Sequence, residues 1–240
     1  MKKRDVVYMI YSEEERSITA SGIEFNEFVD SLTMGLNNVL LLSSGYTGAD
    51  FHSGVGLDFV KRENLHKLYK ENIHSYGDFC WIDFDELASL DKLEPQEKAE
   101  LLYLGHYKKV LGSLFFEKLN NQFVYLAHDD GWYSKVFYKN KQDQLDIFRH
   151  LFPGKLKIYK RNVEPMSLEV GGQLVSFAKE GLLIDFSKTI KSRTGLEIPL
   201  NVIGKIKNFD DVYNNMERHK ARAKSEHWLK YKESQWVIKS

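Results

Sequence analysis

A β-hairpin over residues 123–138 is the feature of this sequence that most constrains its fold. Two runs rich in β-branched and aromatic residues, FVYLAH and WYSKVFY, flank Asp129-Asp130-Gly131. Asp130-Gly131 favours a two-residue type I′ turn, because that turn needs positive φ angles at both central positions. Such a turn also fixes the register: His128 opposes Tyr133, and Val124 opposes Phe137. The chain is therefore expected to contain an antiparallel sheet.

Further patterns along the chain predict an α+β fold. Strand composition recurs at 6–11, 39–43 and 78–85. Helices are predicted at 25–32, preceded by the capping-box pattern Ser21-Gly22-Ile23-Glu24, and at 95–111, 145–152 and 167–180. Apolar residues at helical spacing indicate the first and third, whereas the second is indicated by Pro95 at its start and by glutamates early and lysines late in the segment. Pro153-Gly154 is expected to stop the third of these helices. We expect a mostly antiparallel sheet including the 123–138 hairpin, helices packed on one face, and a long polar C-terminal helix over 210–232.

The net charge of zero hides an uneven distribution of charge along the chain. Residues 1–154 carry 17 Lys+Arg and 24 Asp+Glu, a net charge of −7, whereas residues 155–240 carry 17 and 10, a net charge of +7. The change of sign coincides with Pro153-Gly154. It predicts an acidic α+β domain over 1–154 and a basic C-terminal region over 155–240, with one continuous domain as the alternative.

Composition narrows the class of protein. Hydrophobic residues make up 42% of the chain and aromatic residues 13%, which is typical of a globular protein with an aromatic-rich core or interface. Cys80 is the single cysteine, so no intramolecular disulfide can form. The longest apolar stretch near either end is too short to span a bilayer. We expect a cytoplasmic protein without a membrane partner.

Catalytic candidates are few, and each has a structural alternative. His128 and Asp129 could act as an acid–base pair or, with Asp83 and Asp85, bind a divalent cation. Neighbouring residues in a strand point to opposite faces, however, and the turn alone explains the aspartates beside Gly131. Cys80 lies between two aromatic residues, which predicts a buried and unreactive thiol. We therefore expect no metal and no cofactor, and a binding role rather than catalysis.

The main hypothesis is a non-catalytic protein-interaction module that uses the acidic, aromatic-rich half. Its partner would have a basic surface, as nucleases have for the immunity proteins that bind them. Aromatic side chains provide buried anchors at such interfaces, and carboxylates steer the encounter. The predicted binding residues are Trp81, Asp83, Asp85, Asp129, Trp132 and Tyr133.

Two other hypotheses remain open from the sequence. A nucleic-acid-associated protein would use the basic residues and interleaved aromatics of the predicted C-terminal helix, because cations contact phosphates and aromatics stack on bases. Its binding residues would be Arg218, Lys220, Arg222, Lys224, Trp228 and Lys230. A metal-dependent enzyme would use Asp83, Asp85, His128 and Asp129.

Overall fold

The chain has an α+β fold in the computed structural model, which describes residues 5–33, 35–43, 46–70, 78–128, 132–156, 163–193 and 195–240. The strands are β1 (Val6–Ser12), β2 (Ser17–Ser21), β3 (Asn38–Ser43), β4 (Asp50–His52), β5 (Leu57–Val60), β6 (Phe79–Phe84), β7 (Phe123–His128), β8 (Tyr133–Tyr138), β9 (Leu182–Asp185), β10 (Ile190–Lys191), β11 (Gly195–Val202), β12 (Ser225–Lys232) and β13 (Gln235–Lys239). The α-helices are α1 (Phe25–Asp30), α2 (Leu65–Leu68), α3 (Leu87–Asp91), α4 (Pro95–Tyr107), α5 (Lys141–Leu156), α6 (Leu168–Lys179), α7 (Phe209–Asn214) and α8 (Met216–Lys220). None of the helices in these ranges is both long and apolar enough to cross a membrane.

Contacts divide the chain into two compact units. We call Met1–Thr33 together with Gln142–Ser240 the discontinuous unit, and Met34–Lys141 the inserted unit. This division differs from the charge boundary at 154/155, which falls inside α5. The acidic N-terminal segment thus belongs to the same unit as the basic C-terminal region.

The sheet of the discontinuous unit has the order β13-β12-β11-β9-β1-β2, with antiparallel neighbours and β10 paired to β11. Helices cover both faces of this sheet, so the expectation that they lie on one face is wrong here. Phe177 of α6 stacks on His227 at a centroid distance of 4.5 Å. Phe209 of α7 contacts Tyr8 at 5.3 Å, and the strand registers place Tyr8 and His227 on opposite faces.

The inserted unit contains the predicted hairpin, in a sheet of order β8-β7-β6-β3-β5-β4 with antiparallel neighbours. His128 pairs with Tyr133 and Val124 with Phe137, which confirms the predicted register. The turn residues Asp129, Asp130 and Gly131 lie outside the described residues. One face of this sheet joins α3 and α4 in a buried apolar cluster that includes Leu40, Ile82 and Leu104.

Two predicted helix ends differ from those in the structure. The capping box at α1 consists of Glu24 and Glu27, not Ser21 and Glu24, because Ser21 still belongs to β2. Helix α5 continues through Pro153 to Leu156. Proline has no N–H to bond the carbonyl four residues earlier, and the Met166 N–H donates to that Arg149 carbonyl instead, at 3.0 Å.

The predicted long polar C-terminal helix is wrong. The segment forms two short helices, α7 and α8, followed by the antiparallel hairpin of β12 and β13. In β12, Leu229 and Tyr231 are buried, whereas the residues between and beside them are less covered. Burial that alternates every second residue is typical of a strand and not of a helix. The turn is formed by Glu233 and Ser234, which both have positive φ although neither is glycine.

Candidate functional site

Asp83 is a structural carboxylate at the end of β6. It is 7% exposed, and its oxygens accept hydrogen bonds from the backbone N–H groups of Gln122 (2.9 and 3.0 Å) and Phe123 (2.9 Å). Burial raises the pKa of Asp83 to about 7, against the opposing effect of these N–H donors. The side chain therefore fixes the start of β7, and it is not accessible to a protein partner or to a cation from solution.

Asp85 is exposed and joins three parts of the inserted unit. Its carboxylate accepts hydrogen bonds from the side-chain amides of Asn37 (3.0 Å) and Asn120 (2.6 Å). The Asn38 amide donates to the Asp85 carbonyl at 2.6 Å. Because Asp85 and Asp83 both bond to chain segments, the end of β6 is explained by local structure, without a metal ion.

Among the described residues, Asp83 and Asp85 do not meet His128 at one site. Asp83 bonds to the first residue of β7, whereas His128 is the last residue of that strand, about 16 Å further along it at 3.3 Å per residue. Asp129 lies outside the described residues. Among the residues that the structure describes, no group of three or more His, Cys, Asp or Glu side chains could hold a metal ion.

The His128 end of the β7–β8 hairpin is aromatic. The His128 and Tyr133 rings stack at a centroid distance of 5.1 Å, and Trp132 and Tyr133 are half-buried. Burial lowers the pKa of the His128 imidazole, as do the charges of Lys108 and Lys135, whereas Asp78 acts in the opposite direction. The imidazole at this end is therefore harder to protonate than a free one, and it stacks on the Tyr133 ring.

Trp81 and Cys80 belong to the core. Trp81 is fully buried, and its ring centroid lies 4.3 Å from that of Phe79. The indole is therefore not accessible to a partner in this structure. Cys80 is also fully buried, which confirms the prediction for this side chain, and burial raises the pKa of its thiol far above the ordinary range.

The basic residues predicted to bind nucleic acid are largely paired within the chain. The ammonium of Lys220 lies 2.7 Å from Asp185, that of Lys224 lies 2.6 Å from Glu180, and that of Lys230 lies 2.9 Å from Glu197. Burial opposes ionisation of Asp185, but hydrogen bonds from Lys220 and Ser187 keep its pKa below the ordinary value. Arg218 and Arg222 are exposed and Trp228 is half-buried, but they lie on different elements and do not form one basic helix face.

An exposed apolar surface on α4 was missed in the sequence. Leu102, Tyr107, Val110 and Leu111 are 48%, 56%, 47% and 62% exposed, and the Tyr103 and Tyr107 rings meet at 4.7 Å. We call Leu102, Tyr103 and Tyr107 of α4, together with Val110 and Leu111 of the segment that follows the helix, the α4 apolar surface. Leu101 to Leu104 are four consecutive apolar residues, and a helix cannot bury four consecutive side chains on one face. This apolar run is the feature of the sequence from which exposed apolar side chains on α4 could have been predicted.

The end of α4 lies near the aromatic end of the hairpin. The helix ends at Tyr107. Lys108 follows in the left-handed region with a φ of 51°, a conformation in which an α-helix cannot continue. The Lys108 charge is close enough to His128 to lower the pKa of that imidazole. Gly105 of α4 also approaches Leu42 near the end of β3, and the strand registers place that end of β3 at the same end of the sheet as His128 and Tyr133. The C-terminal end of α4 and Tyr133 therefore lie at the same end of the inserted sheet.

Comparison with protein-family models, with curated proteins and with solved structures gives no significant match to this chain.

Proposed function

We propose that this chain is a non-catalytic protein-interaction module whose inserted unit docks a protein partner on the α4 apolar surface. The observation that carries the proposal is the concentration of exposed large apolar side chains on one helix and the turn that follows it. Tyr103 and Tyr107 are in contact, and Leu102, Val110 and Leu111 are exposed close to them in the sequence. Exposed apolar residues scattered singly are normal on a protein surface, whereas clustered ones are typical of a surface that another molecule covers. Aromatic residues such as Tyr107 are common anchors at such interfaces.

The positions of the predicted catalytic residues support a binding role. Asp83 and Asp85 bond to segments of their own unit, and His128 lies at the opposite end of β7. Of the binding residues predicted from the sequence, Asp85, Trp132 and Tyr133 are at least partly accessible. We retain Trp132 and Tyr133, at the His128 end of the hairpin, as flanking residues of the proposed interface, with the α4 apolar surface as its centre. Asp85 bonds to Asn120 at the opposite end of β7 and is not part of this interface.

The proposed partner has a basic surface. The inserted unit carries 12 Lys+Arg and 15 Asp+Glu, a net charge of −3. Asp85, Glu86, Glu94 and Glu117 are exposed carboxylates of this unit. Such groups accelerate the encounter with a positively charged protein, as in complexes of immunity proteins with nucleases, while apolar anchors provide most of the affinity.

Capture of partners by matched variants tests this proposal. Leu111→Asp introduces a charge on the α4 apolar surface, and Leu168→Asp does the same at a residue of the other unit that is similarly exposed, at 56%. We expect the full-length wild type and Leu168→Asp to retain one partner from a host extract, and Leu111→Asp to lose it. Equal capture by the two variants would overturn the proposed surface.

Salt dependence tests the charge of the partner separately. A basic partner steered by exposed carboxylates should associate more slowly as ionic strength rises, because salt screens charges over about 10 Å at 0.1 M. Surface plasmon resonance with the captured partner measures this. An association rate that does not change with salt would contradict a basic partner, but it would leave docking on the α4 apolar surface intact.

A further inference from the structure

A cavity of about 200 Å³ lies in the discontinuous unit, where α1, the C-terminal end of α5 and the segment 163–165 meet. Its polar lining includes Glu27, Asp30, His150 and Lys155. Leu151, Pro153, Val163 and Pro165 provide apolar walls. In volume it exceeds an engineered cavity of about 150 Å³ that accepts benzene in another protein.

Hydrogen bonds hold the outer wall of this cavity in place. The Met166 N–H donates to the Arg149 carbonyl at 3.0 Å, and the Arg149 guanidinium donates back to the Met166 carbonyl at 2.7 Å. The Trp236 indole N–H donates to the Glu164 carbonyl at 2.8 Å. Segment 163–166 is thus fixed both to α5 and to β13, so the cavity is formed before any ligand binds.

Lys155, the one lysine among the described residues of the lining, is already paired. The Lys155 side chain is only 5% exposed, and its Nζ donates to both Glu27 carboxylate oxygens at 2.7 Å. Glu27 Oε2 also accepts the Glu24 N–H at 2.9 Å. An anionic ligand would have to compete with Glu27 for Lys155, and it would face the Asp30 carboxylate as well.

The unused hydrogen-bonding capacity of the lining is mainly that of acceptors. His150 Nδ1 lies 2.8 Å from the Asp146 carbonyl, which can only accept, so Nδ1 carries the hydrogen and Nε2 of the neutral ring is an acceptor. The Ser31 hydroxyl donates to the Phe28 carbonyl at 2.6 Å, and its oxygen can still accept. The exposed Asp30 carboxylate makes no hydrogen bond or ion pair within the described ranges.

We propose that this cavity binds a small organic cation, a primary ammonium group on a short aliphatic stem. The ammonium donates to the Asp30 carboxylate and His150 Nε2, and the stem packs on Leu151 and Pro165. A metal ion fits less well, since no group of three or more metal-ligating side chains occurs among the described residues. This site is in the discontinuous unit and does not depend on the proposed protein interaction.

Titration of the full-length protein with n-butylammonium, followed by amide chemical shifts in NMR spectra, tests the proposal. We expect saturable shifts at residues 27–31 and 150–155, and none from n-butanol or butyrate at equal ionic strength. Asp30→Asn should weaken n-butylammonium binding about tenfold or more, as expected for the loss of one charge-assisted hydrogen bond. Asp210→Asn removes an exposed aspartate that does not line the cavity, and it should change nothing.

A second variant addresses the cavity itself. Gly154 lines it, and a Cβ added there would meet no atom of the described residues within 4 Å. Gly154→Leu should therefore fold and abolish the saturable shifts by occupying the space. Binding that persists unchanged in both Asp30→Asn and Gly154→Leu, or butyrate binding as tightly as n-butylammonium, would overturn the proposal.

Discussion

At the scale of single residues, Asp83 shows why a carboxylate next to other carboxylates need not be catalytic. Its two oxygens accept three hydrogen bonds from two successive backbone N–H groups, which would otherwise be buried without partners. Burial of the Asp83 carboxyl group away from water disfavours its charged form, and this raises its pKa. The same residue thus fixes a strand end and makes the fold sensitive to pH.

Asp83→Asn is predicted to reduce the pH dependence of stability. The folded-state pKa of Asp83 is about 7, above its ordinary value of 3.8, so the folded state holds this proton more tightly than the unfolded state. The stabilisation is complete below about pH 4 and is lost as the pH rises to about 7. The wild type should therefore lose melting temperature between about pH 5 and about pH 8.

The loss of melting temperature between about pH 5 and about pH 8 should be smaller in Asp83→Asn, because this side chain cannot ionise. It should be the same as in the wild type in Asp50→Asn, which alters an exposed carboxylate of the same unit. Melting curves by circular dichroism at both pH values measure the difference. An identical pH dependence in the wild type and Asp83→Asn would show that Asp83 does not carry this effect.

Some residue-scale features were accessible from the sequence and others were not. The opposition of His128 and Tyr133 followed from Asp130-Gly131, because turn geometry sets register locally. The burial of Trp81 did not follow, because strand composition alone does not say which faces are covered. The exposure of Leu102 also depends on tertiary packing, although the apolar run around it was visible.

At the scale of elements, local signals predicted α6 and β6 well, whereas the C-terminal hairpin was mistaken for a helix. Ser167 caps α6 by accepting the Val170 N–H, and the apolar spacing that follows is helical. The turn between β12 and β13 has no glycine or asparagine to announce it. The charged residues around it gave a polar pattern that suits an exposed helix equally well.

Two helical glycines are predicted to respond in opposite ways to alanine. A Cβ at Gly105 of α4 would lie 2.4 Å from the Leu42 carbonyl oxygen, whereas a Cβ at Gly172 of α6 would meet no atom within 4 Å in the part of the chain that the structure describes. Gly105→Ala should destabilise the protein by about 1–3 kcal/mol through overpacking. Gly172→Ala should stabilise it by about 1 kcal/mol through helix propensity.

Urea unfolding of both variants measures these changes in the free energy of unfolding. The pair is matched in chemistry, so the difference reports the close approach of α4 to β3. A Gly105→Ala variant as stable as the wild type would contradict the close contact between Gly105 and the Leu42 carbonyl.

At the scale of the whole molecule, part of the charge asymmetry is neutralised within the fold. Glu27 and Glu13, from the acidic part of the sequence, pair with Lys155 and Lys179 from the basic part. These pairs lie inside the discontinuous unit, which joins both ends of the chain. The net charge difference along the sequence therefore overstates the difference between the two units.

The Glu27–Lys155 pair is predicted to be coupled, in contrast to an exposed pair. Lys155→Met leaves the Glu27 carboxylate without its cation and should destabilise the protein by about 2 kcal/mol or more, while Glu27→Gln combined with Lys155→Met should recover much of the loss. Lys224 and Glu180 are mostly exposed and should show no measurable coupling. Double-mutant cycles of unfolding free energy test both, and additive effects at Glu27 and Lys155 would contradict the prediction.

Site-specific photo-crosslinking tests most directly whether the α4 apolar surface is a docking site. A photoreactive side chain replaces Leu111 in one full-length variant and the similarly exposed Leu168 in another, and each is irradiated in host extract. We predict a discrete crosslinked protein at position 111 that is absent at position 168. No crosslink at position 111, or the same products at both positions, would contradict docking on this surface.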